Sequence, residues 1–169
     1  MDQEQQKWEG LFRGSVLSTA ITKHVSFLMS ADTRAQGLIV LNAALVPLAM
    51  SGMQTPSLRA ASYLCVFTAL LTITLCVFCL YPKRFAPRKG SINILHYVGF
   101  SSLTEDDFVK KTKVIFGGKE QLAEAAVRDL HHLGSKIVGP KYFFLRLAYI
   151  VFLLGQLTAV LLALISKMS

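Results

Sequence analysis

Apolar residues gather in three long runs, at about 35–53, 60–81 and 142–165, with mixed or polar stretches between them. Each run is close to the ~20 residues with which a helix crosses ~30 Å of hydrocarbon, the first being the shortest. The pattern therefore predicts three membrane-spanning helices. Ahead of the first run, Trp8, Leu11, Phe12, Val16, Ile21, Val25 and Leu28 recur at loose helical spacing, interrupted by Ser15, Thr19 and Thr22. No proline precedes Pro47, so one helix can run unbroken from the N-terminal arm into the first span. From residue 5 to residue 53 it would measure about 70 Å at ~1.5 Å per residue. The other arrangement of the arm is an amphipathic helix lying on the membrane, with Trp8 and Phe12 immersed.

Beyond the first span, Thr55-Pro56 restarts a helix, with Thr as N-cap and Pro at the first helical position. Pro82 ends the second span. A short apolar run at 92–100 is too brief for periodicity to decide between a strand and a helical turn. Ser102-Leu103-Thr104-Glu105 has the capping-box spacing and predicts a helix running to about Phe116, stopped by Gly117-Gly118. A second helix begins near Lys119, with Leu122, Ala125, Ala126, Leu130, Leu133 and Ile137 on one side. Gly139-Pro140 marks a kink before the third span.

The expected fold is an all-α integral membrane protein: three transmembrane helices, with a small, mainly helical cytoplasmic segment between the second and third. Its divisions are an N-terminal helix at 1–34, a transmembrane hairpin at 35–81, a sensing segment at 82–141, and the last span with a short tail at 142–169.

Composition agrees. Apolar residues make up 53% of the chain and charged residues 17%, with mean hydropathy +0.47, too greasy for a typical soluble domain. No signal-peptide pattern precedes the first run, because the apolar stretch comes too late. The formal net charge is +8, and eleven of the eighteen Lys and Arg lie at 82–141. The arm adds Lys7, Arg13, Lys23 and Arg34, whereas the turn between the first two spans carries Arg59 alone. The positive-inside rule puts the N-terminus and the sensing segment in the cytoplasm. Part of the basic run after Pro82 would also meet anionic lipid.

Candidate chemistry concentrates at the edge of the first span. Ala31-Asp32-Thr33-Arg34-Ala35 places an acid and a base where hydrocarbon should begin, which is costly unless the charges are partnered, bound or held at the headgroups. Arg34 can snorkel to water; the short stem of Asp32 cannot do so as easily. His24 and Asp32 fall on similar helical faces. Asp129, His132 and Lys136 share another at i, i+3 and i+7, and Lys141 lies at the membrane level of Asp32 and Arg34. Within the spans, Asn42 suggests a hydrogen bond between helices. Ala61, Cys65, Thr68, Thr72, Cys76 and Cys79 form a small, weakly polar stripe, read either as close helix packing or as the wall of a pore in an oligomer. All three cysteines belong to it, and neither a disulfide nor a metal role is expected of them. No HExxH, GxSxG, P-loop or paired CxxC is present, and His131 and His132 point to different faces, so neither catalysis nor a metal centre is expected.

His24, followed after six residues by Ala31-Asp32-Thr33-Arg34-Ala35 leading into the first span, resembles the signature of the transmembrane effector family of Pycsar antiphage systems. Leu95-His96-Tyr97, Ser102 to Phe108, Asp129-Leu130-His131-His132 and Lys141-Tyr142 follow in the same order. Arg34 stands where that pattern has Lys, keeping the charge and changing the donor geometry. The resemblance implies a bacterial inner-membrane effector that answers a cyclic pyrimidine mononucleotide from a partner cyclase by disrupting the membrane. It implies no other cofactor and no nucleic acid polymer as partner. Three spans are too few for a channel from one chain, so the expected active form is a homo-oligomer in lipid. Arg34, Lys136, Lys141 and His132 are then the expected phosphate contacts, and His24, Asp32 and Asp129 the switching polar cluster. A passive membrane anchor without gating, and a constitutively active toxin, remain as other readings of the same residues.

Overall fold

The computed structural model describes residues 3–81, 94–95, 97–101 and 103–168. Among these the chain is helical, with no strand. Helix α1 runs Gln3–Gly52, α2 Arg59–Leu80, α3 Tyr97–Phe100, α4 Glu105–Phe116, α5 Lys119–His132 and α6 Gly139–Met168. A 3-10 turn, Pro56–Leu58, leads into α2, and a π-helical segment, Leu133–Val138, joins α5 to α6. Three of these helical stretches are long and apolar enough to cross a membrane. The arm does run unbroken into the first span, and Pro47 is accommodated near the end of α1. The basic run after Pro82, His96 and Ser102 lie outside the described residues, as does the side chain of Trp8.

The chain divides into two compact units. One comprises Leu28–Tyr81 with Gly139–Ser169 and holds the three spans. Its core is built mostly from small side chains, Ala31 and Ala35 of α1, Cys76 and Cys79 of α2 and Ala148 of α6, with Leu38 of α1 and Leu145 of α6 among them. Helices in lipid gain no hydrophobic drive toward one another, so they associate where small residues let backbones approach and dispersion contacts accumulate. Gly155 of α6 meets Thr68 of α2 so closely that a Cβ there would overlap the threonine side chain. Gly52 stands likewise against Ser62, where a Cβ would come within 2.5 Å of Oγ. Phe78 and Phe144 stack obliquely at 5.9 Å, and the Ser166 hydroxyl donates to the Ser57 carbonyl. These contacts make α2 antiparallel to α6. The stripe on α2 is thus a packing surface in this chain: Ala61, Thr68, Thr72, Cys76 and Cys79 are buried.

The other unit comprises Met1–Phe27 with Pro82–Val138. Thr104, rather than the expected Ser102, caps α4: its hydroxyl accepts from the Asp107 N–H at 3.3 Å. Glu105, Asp106 and Asp107 then sit in the first turn, where the helix dipole favours acids. Phe108, Thr112 and Ile115 are half-buried along one face of α4, and Phe108 rests 5.3 Å from Phe100. The end of the apolar run before it, Tyr97–Phe100, forms the helical turn α3. On α5 the predicted side is the half-buried one, and no residue of α4 or α5 is fully buried.

Two expectations are corrected. Asn42 donates to its own helix, Nδ2 to the Leu38 carbonyl at 2.7 Å, rather than across to another. The irregularity near Gly139-Pro140 precedes the proline. Pro140 has no N–H, and its ring crowds the carbonyl four residues back; the π-helical segment widens the helix there.

Because Gly155 faces Thr68 at contact distance, Gly155→Val is expected to destabilise the three-helix unit by about 1–3 kcal/mol, as overpacking does. Gly37, with open space around it, is the control: Gly37→Ala should leave stability unchanged or raised. Thermal unfolding in detergent, followed by circular dichroism, compares the two.

Candidate functional site

The site begins with a spacing. On α1, Leu17, Ile21, His24, Leu28, Ala31, Ala35, Leu38, Asn42, Leu45 and Ala49 are all buried or half-buried. They alternate at three and four residues, the ~3.5-residue period of a coiled-coil seam. Lys141, Leu145, Ala148, Phe152, Gly155 and Ala159 do the same on α6. Such seams pack helices at shallow angles along their length.

Asp32 follows Ala31 and so stands at the edge of the α1 seam, while Lys141 heads the seam of α6. The Ala31 and Ala35 methyls keep that edge narrow. Across it the Lys141 ammonium donates to Asp32 Oδ1 at 2.5 Å. The side chains are 37% exposed for Asp32 and 18% for Lys141. The third helix joins at the same level, where the Cys79 thiol donates to the Lys141 carbonyl at 3.4 Å. One charge pair therefore ties the first span to the last, at the end of the unit opposite the 52–58 turn. A pair half out of water is worth more than an exposed one, because less solvent screens it. Breaking it also leaves a charge uncompensated near hydrocarbon. Arg34, two residues on, is exposed and reaches no acid within the described residues.

The remaining expected residues belong to the other unit. His24 Nδ1 lies 2.8 Å from the Ala20 carbonyl, a contact made by an N–H on that nitrogen. Nε2 would be 3.3 Å from a Cβ on Gly134, so the glycine gives the imidazole room against the π-helical segment. The ring also meets Phe27 edge-on at 6.3 Å. Asp129 and His132 are half-buried on α5. Lys136 is exposed within Leu133–Val138, and the i→i+5 turns there carry it off the α-helical face it would share with Asp129. Among the described residues, no cluster of three His, Cys, Asp or Glu could hold a metal ion.

A shallow groove in this unit escaped the sequence reading. Asp107, Lys110 and Lys111 line it with Ile94, Val114 and Ile115, two cations beside an apolar wall. The signal was present in Lys110-Lys111 on a helix of alternating character, but Ile94 comes from another segment and only the fold brings it there.

A family model described as the Pycsar effector protein domain matches residues 16–166. No curated protein and no solved structure matches the chain.

The pair makes a measurable claim. Asp32→Asn and Lys141→Met should each destabilise the three-helix unit by about 1–3 kcal/mol, between exposed and buried pairs. The double variant should lose less than the sum, with a coupling of about 0.5–3 kcal/mol. Unfolding titrations in detergent measure the cycle, and strict additivity would show that the contact does not bind α1 to α6.

Proposed function

The chain belongs to the Pycsar effector family, and we propose that a cyclic pyrimidine mononucleotide is the signal that loosens its bundle. Membership makes it a multi-pass membrane effector of antiphage defence, linked to a cyclic nucleotide that a cyclase makes. In the finer reading it resides in the bacterial inner membrane with its N-terminus in the cytoplasm, where the Lys and Arg excess would hold it. Copies assemble, rearrange on binding and disrupt the membrane, arresting the infected cell. The chemistry is binding and helix rearrangement, without catalysis.

The observation that carries this reading is the Asp32–Lys141 pair. A cyclic mononucleotide brings one phosphodiester charge, the same charge as the carboxylate it would displace. Exchange of partners at Lys141 is therefore nearly balanced in charge, and Arg34 adds a planar fork suited to phosphate oxygens. Asp32 is then left at the membrane edge without its cation, a state that favours a discrete rearrangement of α1 against α6 over a graded one. His132 and Lys136 are not needed for that exchange.

Calorimetry on detergent-purified protein, with cyclic CMP, UMP, AMP and GMP, is the test. Lys141→Met should weaken pyrimidine nucleotide binding by about 1.5–3 kcal/mol, or roughly 10- to 150-fold. Asp32→Asn, which removes the competitor, should tighten it and depolarise cells at lower cyclase expression, read by a membrane-potential dye. Unchanged affinity in Arg34→Ala with Lys141→Met would sink the placement. Full membrane potential in wild-type cells carrying an active cyclase would leave a passive anchor as the better reading.

A further inference from the structure

Water and ions cross hydrocarbon along polar surface, so the place where a path forms depends on where the three-helix unit keeps its polar groups. Its outward faces are apolar: Val40, Leu48, Phe67 and Leu154 are all more than half exposed. The outward hydroxyls of Thr74 and Thr158 are turned back onto their own helices, onto the Leu70 and Leu154 carbonyls at 2.9 and 2.7 Å. Gln36, Tyr63, Arg146 and Tyr149 stay exposed, whereas Asn42, Thr68 and Thr72 are buried between the helices.

Asn42 is the centre of this buried set. Its residue is 0% exposed and sits on the seam of α1. Its amide nitrogen donates to the Leu38 carbonyl, and its Oδ1 has no partner among the described residues. Thr72 on α2 is also 0% exposed. One turn further along α2, the Gln156 amide of α6 bridges two groups: Nε2 donates to the Thr68 hydroxyl and Oε1 accepts from the Cys65 thiol, both at 3.2 Å. A buried amide oxygen left unpaired is costly, and in lipid the water that would satisfy it is excluded while the helices are closed.

We propose that in an assembly of copies this inward seam, centred on Asn42, takes up water when the Asp32–Lys141 pair separates, and that the seams of several copies together line the path by which ions cross. The inference rests on the reading of the chain as a nucleotide-gated membrane effector. Much of its wall is small, with Ala, Gly, Cys and Thr beside Leu38 and Leu145, so a modest separation of helices opens space for water. The orphaned Asn42 oxygen then gains a partner, which lowers the cost of the open state relative to an apolar seam.

The chain carries its own reporters, because its three cysteines lie in α2 and Cys76 and Cys79 are buried at rest. Whole cells expressing the full chain, with and without an active cyclase, are treated with a small cationic methanethiosulfonate, and modified sites are read by mass spectrometry beside dye uptake. Modification of Cys65 and Cys76 should go from undetectable to near completion as depolarisation begins. Asn42→Leu should fold at least as stably as wild type and slow depolarisation on the order of tenfold, as apolar constrictions do by dewetting. Phe67→Cys, on the lipid face, should stay unlabelled. Depolarisation with Cys65 and Cys76 untouched, or with Phe67→Cys labelled in their place, overturns the inference and leaves the gated reading standing. No depolarisation with an active cyclase removes that reading, and the inference falls with it.

Discussion

Everything in the three-helix unit depends on how closely its helices can approach. Lipid tails are as apolar as leucine, so burying a large hydrophobic face gains little there, and contact must come from shape. Ala31 and Ala35, Cys76 and Cys79, Ala148 and Gly155 supply that shape by being small. Most of the large residues, Leu38 and Leu145 apart, turn at least partly outward to lipid, an inversion of the soluble-protein pattern. The same close approach lets a lysine on the last span reach an aspartate on the first. A bulkier residue at 31 or 35 would widen the gap that Lys141 now closes.

Closeness also explains why the polar groups here carry consequences. In a loosely packed bundle Asn42 and Gln156 would find water or lipid headgroups. Held between backbones, each must find partners in the protein or go without. Gln156 finds two on a neighbouring helix and adds to cohesion. Asn42 finds one on its own helix, and its oxygen goes without. The bundle is thus fastened at the Asp32–Lys141 end and around Thr68, with an unsatisfied amide on its seam.

Much of this fold was legible in the sequence, because length and hydropathy fix where helices cross and proline and glycine fix where they stop. Asp32 and Lys141 could be set at one membrane level by counting alone, since both precede apolar runs by similar distances. The seam of α1 was not legible. Ala31, Ala35 and His24 carry little hydrophobic signal, so the apolar periodicity found Ile21 and Leu28 of the seam, mixed them with Phe12, Val16 and Val25, which face outward, and passed over the small residues that pack. Asn42 misled for a related reason: an amide in a span suggests a partner across the interface, yet the carbonyl four residues back is always within reach. The cap at Thr104 was off by two residues because Asp107, at the third helical position, was not weighed as the partner of a threonine.

The π-helical segment shows how a local clash becomes a structural joint. Pro140 cannot donate, and in an α-helix its ring would press on the Lys136 carbonyl. A kink would relieve this by bending the axis. The wider i→i+5 turns relieve it by inserting a residue instead, and they keep the helix continuous from Lys119 to Met168. The cost is a rotation of register within Leu133–Val138, where Lys136 no longer follows the α-helical face of Asp129. The division between the two compact units falls at the end of this segment, between Val138 and Gly139. His24 rests against Gly134 within it, so a side chain larger than hydrogen at 134 would press the imidazole where the helix is already widened.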